Sequence, residues 1–128
     1  MLALLDTCAL VWAARQPDSL GAEARRIVED VSNDLLVSSI SLWEIAIKVK
    51  KGKLDLGLSV RDFLARLRKL ENLELVPVTA DIWLRNVELD WEHRDPADRT
   101  IVATAELRDA PIVTKDDRLR AFYPRTLW

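Results

Sequence analysis

Apolar positions recur along the chain at two periods, and the switches between them outline the elements. Leu2-Ala3-Leu4-Leu5 is a short unbroken apolar run that ends on Asp6. Such a run, without apolar/polar alternation, is the pattern of a parallel strand covered on both faces. Leu35-Leu36-Val37-Ser38, Leu73-Glu74-Leu75-Val76 and Pro111-Ile112-Val113-Thr114 read as further strands. Between them the apolar residues return at helical spacing. Thr7 to Ala14 forms a first helix. Ser19 caps a second, Leu20 to about Ser32, with Ala24, Ile27, Val28 and Val31 as its stripe. A third runs from about Leu42 to Lys50, opened by a capping box of Ser41 and Glu44 and stopped at Gly52. Ser59 opens a fourth, Val60 to about Glu71, with Phe63, Leu64, Leu67 and Leu70 inward. Thr79 opens a fifth through Ile82, Trp83, Val87 and Leu89. Asp95 at N-cap, Pro96 at N1 and Asp98 at N3 open a sixth. Arg118 to Phe122 form one more turn, and the tail to Trp128 holds a short edge strand. Strands alternating with helical crossovers predict an α/β fold, a parallel sheet with helices on both faces.

At 128 residues the chain has the size of one domain, residues 1–128. The opening run lacks a charged segment before it and is too short to span a bilayer, so neither a signal peptide nor a membrane partner is expected. One cysteine, Cys8, cannot form an internal disulfide, which points to a reducing, cytoplasmic setting. Cys8 itself is expected as a buried structural thiol. A net charge of -2 gives no bulk signal of nucleic-acid binding. Two basic clusters, Lys48/Lys50/Lys51/Lys53 and Arg61/Arg66/Arg68/Lys69, read as solvated helix faces or as a local basic rim. Trp12, Trp43 and Trp83 are expected in the core, Trp91 and Trp128 at exposed contacts.

Composition also narrows the chemistry. The 3 glycines form neither a P-loop nor a dinucleotide fingerprint. With 1 His and 1 Cys, a structural zinc site of the usual ligands is excluded. His93 reads as a helix-start or surface residue. What remains is carboxylates. Asp6 and Asp116 follow strands one and four; Glu44 and Asp98 fall in first turns of helices. Any one of them has a structural use, because acids at helix starts satisfy free N–H groups and complement the helix dipole. Parallel strands share one carboxyl edge, which brings Asp6, Glu44 and Asp116 to a common rim; Asp98 joins them if its helix starts there. Clustered carboxylates repel unless a cation or protons offset them. All-oxygen ligands of this kind suit Mg²⁺ or Mn²⁺. Ions so held polarise a phosphodiester and activate water.

Four segments in series, Leu4-Leu5-Asp6-Thr7, Ser38 to Lys48 with its Trp43-Glu44 pair, His93-Arg94-Asp95-Pro96-Ala97-Asp98-Arg99, and Ile112-Val113-Thr114-Lys115-Asp116, resemble the signature segments of PIN-domain proteins. They look most like the VapC-type toxins of toxin–antitoxin pairs. The resemblance implies a three-layer α/β/α sandwich around a mainly parallel sheet of four or five strands. It implies a Mg²⁺- or Mn²⁺-dependent ribonuclease whose partners are an RNA substrate, a cognate antitoxin protein and, as a homodimer, a second copy. By motif, the catalytic and metal-holding acids are Asp6, Glu44, Asp98 and Asp116. Thr7 and Thr114 become hydroxyl neighbours that orient carboxylates. Asp95 is a near-site residue with an equal claim as an N-cap, and Asp117 is a substitute for Asp116. Lys48, one turn after Glu44, is an RNA-backbone contact or an i, i+4 partner of Glu44. Cys8 stands where such relatives often carry His, and Ala97 where a bulky aromatic is common. Two alternatives stay open: a PIN-type nuclease with a processing role, and a non-catalytic interaction module of the same fold.

Overall fold

A computed structural model describes residues 1–128. In chain order the elements are β1 (Leu2–Leu5), α1 (Thr7–Arg15), a 3-10 turn (Pro17–Ser19), α2 (Ala22–Glu29), β2 (Asp34–Ser38), α3 (Ser39–Lys50), α4 (Val60–Arg68), β3 (Leu73–Val76), α5 (Ala80–Glu88), α6 (Pro96–Arg108), β4 (Ile112–Val113), α7 (Asp117–Phe122) and β5 (Thr126–Leu127). The five strands lie in the order β3-β2-β1-β4-β5, and every pairing is parallel. Leu4 sits opposite Leu36 and Ile112, and Leu5 opposite Val37 and Val113. The unbroken apolar runs follow from this: each strand feeds two cores. Leu4, Leu36 and Ile112 pack with Ile82, Ile101, Val102 and Leu119 of α5, α6 and α7. Ala3, Leu5, Val37 and Val113 pack with Ala9, Ile27, Ile45 and Phe63 of α1 to α4. The result is the expected three-layer α/β/α sandwich. No helix is long and apolar enough to cross a membrane.

Several helix ends differ from the sequence expectation, each for a local reason. Ser19 closes the 3-10 turn instead of capping α2; Leu20 is extended and buried, and Gly21 is the N-cap. The α2 helix stops at Glu29 because the Asp30 carboxylate accepts from both Ser32 N–H and the Ser32 hydroxyl, a local alternative to another helical turn. Val31 is therefore 82% exposed and not part of the stripe. The α3 helix starts at Ser39, with the Ser38 hydroxyl accepting from Ile40 N–H. Ser41 is thus no cap. It is buried within the helix and accepts a hydrogen bond from the Thr7 hydroxyl, which ties α3 to α1. The α4 helix ends at Arg68 and leaves Leu70 exposed. The tryptophan expectation is nearly reversed. Trp43 and Trp83 are exposed, whereas Trp91 and Trp128 pack against the two cores.

Candidate active site

The strand order places a topological switch at β1. The chain leaves β1 for β2 on one side, and β4 joins on the other. Crevices beyond the carboxyl ends of strands at such switches are where open α/β sheets bind ligands. A cleft of about 310 Å³ lies there, lined by Asp6, Thr7, Cys8, Trp12, Glu44, Lys48, Asp95, Asp98, Lys115 and Asp116. All four sequence-predicted acids, the near-site Asp95 and Lys48 therefore face one space. Asp117 does not line it: as the first residue of α7 it is exposed outside the cleft.

Each acid is held by the element that presents it. Asp6 is the N-cap of α1 immediately after β1, and its Oδ1 accepts from Ala9 N–H at 2.7 Å. Its Oδ2 accepts from the hydroxyl of buried Thr114, just after β4. The Thr114 oxygen also accepts from Asp116 N–H at 3.0 Å, so one hydroxyl holds the Asp6 carboxylate and the main chain of Asp116. Asp116 caps α7 through Oδ1, which accepts from Arg118 and Leu119 N–H. Asp95 caps α6 through Oδ1, which accepts from Asp98 N–H at 3.0 Å. Glu44 lies in the second turn of α3, because that helix begins three residues before the expected start. Thr7 orients no carboxylate; its hydroxyl goes to Ser41. Lys48 makes no ion pair with Glu44 and stands free in the cleft.

Charge is concentrated and partly desolvated here. Burial pushes the Asp6 carboxyl up to about 6, against the opposing hydrogen bonds from Thr114 and Ala9, and the charges of Asp98 and Asp116 add to the rise. Asp98 is also raised, first by burial, with His93 pulling the other way and Asp95 and Asp116 reinforcing the rise. Cys8 is exposed within the cleft, not buried as expected; partial burial of its thiol and then the Asp6 charge raise its pKa. A buried and a partly buried carboxyl that resist ionisation in one oxygen-lined cleft are what a cation relieves. The donor set fits a hard divalent ion that keeps several waters. The acids do not all converge on one point: ligand atoms within 4.8 Å of one another occur for His93, Asp95 and Asp98.

His93, expected as a helix-start or surface residue, stands just before α6 but has a role at the site that the residues alone did not show. It is no idle surface group: its Nε2 lies 2.7 Å from Asp98 Oδ2, and its ring packs beside Trp91, which stacks on Phe122 with centroids 4.5 Å apart. The strap that carries it is clipped by Arg99, the neighbour of Asp98. Arg99 Nε and Nη2 donate to Asn86 O, Nη2 also to Leu89 O, and Nη1 to Trp91 O and His93 O. Five contacts thus use the whole donor fork on main-chain carbonyls. The sequence signal was the His93-to-Asp98 spacing across Pro96, but spacing alone does not say that a loop folds back.

A family model described as the PIN domain matches residues 3–123. The chain belongs to the PIN-domain family. Ribonuclease VapC22 of Mycobacterium tuberculosis (strain ATCC 25618 / H37Rv) is 33% identical over 129 residues, covering 98% of this chain and 97% of the relative. Among solved structures, VapBC2 from Rickettsia felis, bound to a DNA fragment from its promoter, superposes with a TM-score of 0.71 at 22% identity, covering 100% of this chain and 98% of that one. Mycobacterium tuberculosis VapC20, a sarcin–ricin loop cleaving toxin, superposes with a TM-score of 0.68 at 18% identity, covering 93% of each chain. At these identities the structural neighbours speak for the fold alone.

Proposed function

We propose that this PIN-domain protein is a divalent-metal-dependent endoribonuclease, with Mg²⁺ the ion and Mn²⁺ able to replace it, and that it is the toxin of a toxin–antitoxin pair. The observation that carries the reading is the meeting of Asp6, Glu44, Asp98 and Asp116 in one cleft at the sheet's switch point. The 33% identity to a ribonuclease supports the substrate class. A cognate antitoxin and a second copy of the chain are the protein partners that belong to this reading.

When bound, a divalent ion supplies a water acidic enough to attack phosphorus near neutral pH and offsets the charge that develops there. The chain's own residues hold that centre still. Asp6 is ionised above about pH 6, and its two oxygens are aimed by Ala9 N–H and the Thr114 hydroxyl. Asp116 is set by the same threonine, and Asp98 by the first turn of α6 and by His93. Glu44 closes the cleft from α3, and Lys48 on that helix meets the phosphate backbone. Single-stranded RNA, Mg²⁺ or Mn²⁺, and folded Asp6→Asn and Asp98→Asn variants test the assignment. Both variants should lose more than the about 10–100-fold typical of outer-sphere changes. Cleavage at the parent rate by either folded variant overturns it. Growth arrest on expression, relieved by a small adjacent gene, separates the toxin from a processing nuclease.

A further inference from the structure

We infer that Trp12 is a nucleobase-stacking platform beside the acidic cleft, with Lys115 and Lys48 meeting the adjoining phosphates. The inference rests on the nuclease reading and adds to it how the RNA strand is gripped.

The α1 helix has two faces. Ala9 and Leu10 enter the core, while Cys8 and Trp12, four residues apart and so on one face, line the cleft. Trp12 is the cleft's one aromatic ring. Six residues beyond Asp6, it stands about 9 Å farther along the helix axis, within the same cleft. The ring is braced from behind. Trp12 packs on Trp128 with centroids 5.6 Å apart and planes at 57°. Trp128 is seated in turn on the bare backbone of Gly21, where a Cβ would come within 2.6 Å of the Trp128 ring. A ring held this way loses little further freedom when a base arrives.

Lys115 Nζ lies 5.7 Å from the Trp12 centroid, and Lys48 faces the same cleft. These are the two cations among the lining residues, in a space otherwise bounded by carboxylates. A polyanion entering that space needs them. A cation over an exposed ring is worth only about 2- to 5-fold in affinity. A base stacked on an aromatic ring is worth about 5- to 150-fold. A base therefore displaces the ammonium from the ring, and the freed Lys115 turns to a phosphate. Every base has a π-face, so the grip is tolerant of sequence.

The test compares a fluorescein-labelled single-stranded RNA 12-mer of mixed sequence with an abasic ribose-phosphate oligomer of the same length. Binding is read by anisotropy in Mg²⁺, on the inactive Asp98→Asn background. RNA should bind at least about 5-fold more tightly than the abasic oligomer. Trp12→Leu should erase most of that difference, and Trp12→Phe should keep most of it. Equal binding of the two oligomers overturns the inference without any substitution at Trp12. An unchanged difference in a folded Trp12→Leu protein overturns it equally. Absence of RNA binding on this background, in a protein whose parent cleaves RNA, removes the platform and leaves the nuclease standing. A parent that cleaves no RNA with Mg²⁺ or Mn²⁺ removes the nuclease reading, and the platform with it.

Discussion

Asp6 and Asp98 face the same cleft by different means. Asp6 sits at a strand-to-helix junction: β1 stops, α1 starts, and the carboxylate between them caps the helix and takes the Thr114 hydroxyl. Asp98 sits in the first turn of α6, partly exposed, and depends on a strap from α5 that Arg99 clips and His93 terminates. One acid is held at a helix cap by a hydroxyl from just after the adjacent strand, far away in sequence, the other by a nearby loop folded back over it. The first arrangement is stiff but confines a charge; the second leaves the charge wetter and makes its position conditional on how the strap is held.

The largest effect expected from that contrast is at Asp6. Its carboxyl titrates from the ordinary 3.8 up to about 6 on folding, so the folded state binds the proton more tightly. This group's contribution is present below about pH 3.8 and is lost as pH rises through 6, a fall of about 3 kcal/mol. Asn at position 6 keeps a cap acceptor for Ala9 N–H and carries no charge. Asp6→Asn should abolish cleavage and, in EDTA at pH 8, unfold at higher denaturant than the parent, by up to about 3 kcal/mol. The gain should shrink toward pH 4. A parent that gains nothing in stability from added Mg²⁺ or Mn²⁺ would break the link between this charge and a cation.

At the strap, Arg99→Ala should cost about 2–3 kcal/mol, because the Asn86 carbonyl of α5 and three carbonyls of the turn between α5 and α6 lose a charged donor at once. Cleavage should fall with it, since His93 is released from Asp98. Arg99→Lys supplies three donors without the planar fork and should recover part of both. Urea unfolding beside RNA cleavage reads the two together. An Arg99→Ala protein of parental stability would show that water satisfies those carbonyls and that the strap holds by its Trp91–Phe122 stack.

A smaller and more selective loss is expected at His93. His93→Ala removes the partner of Asp98 Oδ2 but leaves the Arg99 clip, so metal affinity should drop about 10–100-fold with little change in unfolding midpoint. His93→Gln retains a donor and should restore part of it. Mn²⁺ titration of each variant is the measurement, and parental affinity in His93→Ala would reduce the contact to packing.

The same contrast explains what could be read from the residues alone. The strand runs, the Ser59, Thr79 and Asp95 caps, and the carboxylate after β1 are local signals, and local physics settled them. Ser41 misled because a serine three residues before a glutamate looks like a cap, whereas its hydroxyl is spent on Thr7, 34 residues away in sequence. Trp43 and Trp83 misled because helical spacing says which face is apolar, not whether anything covers it. His93 and Arg99 were missed for the complementary reason. Their contacts exist only once α5, the strap and α6 have packed, and no local pattern in the residues reveals that packing.

The smallest expected effect sharpens the stiff side of the comparison. After β4 the Thr114 hydroxyl accepts from Asp116 N–H, and this pins the residue pair Asp116–Asp117 in one register. Asp116 lines the cleft while capping α7; Asp117 falls one residue on, exposed in the helix's first turn. Asp116→Asn keeps the cap and removes a cleft charge, so cleavage should fall with stability nearly unchanged. Asp117→Asn weakens only a favourable helix-dipole interaction of about 0.3–1 kcal/mol and should cleave RNA like the parent. If the two exchange roles, with Asp117→Asn inactive and Asp116→Asn active, the register set by Thr114 does not govern the site. The stiff side would then be as conditional as the strap.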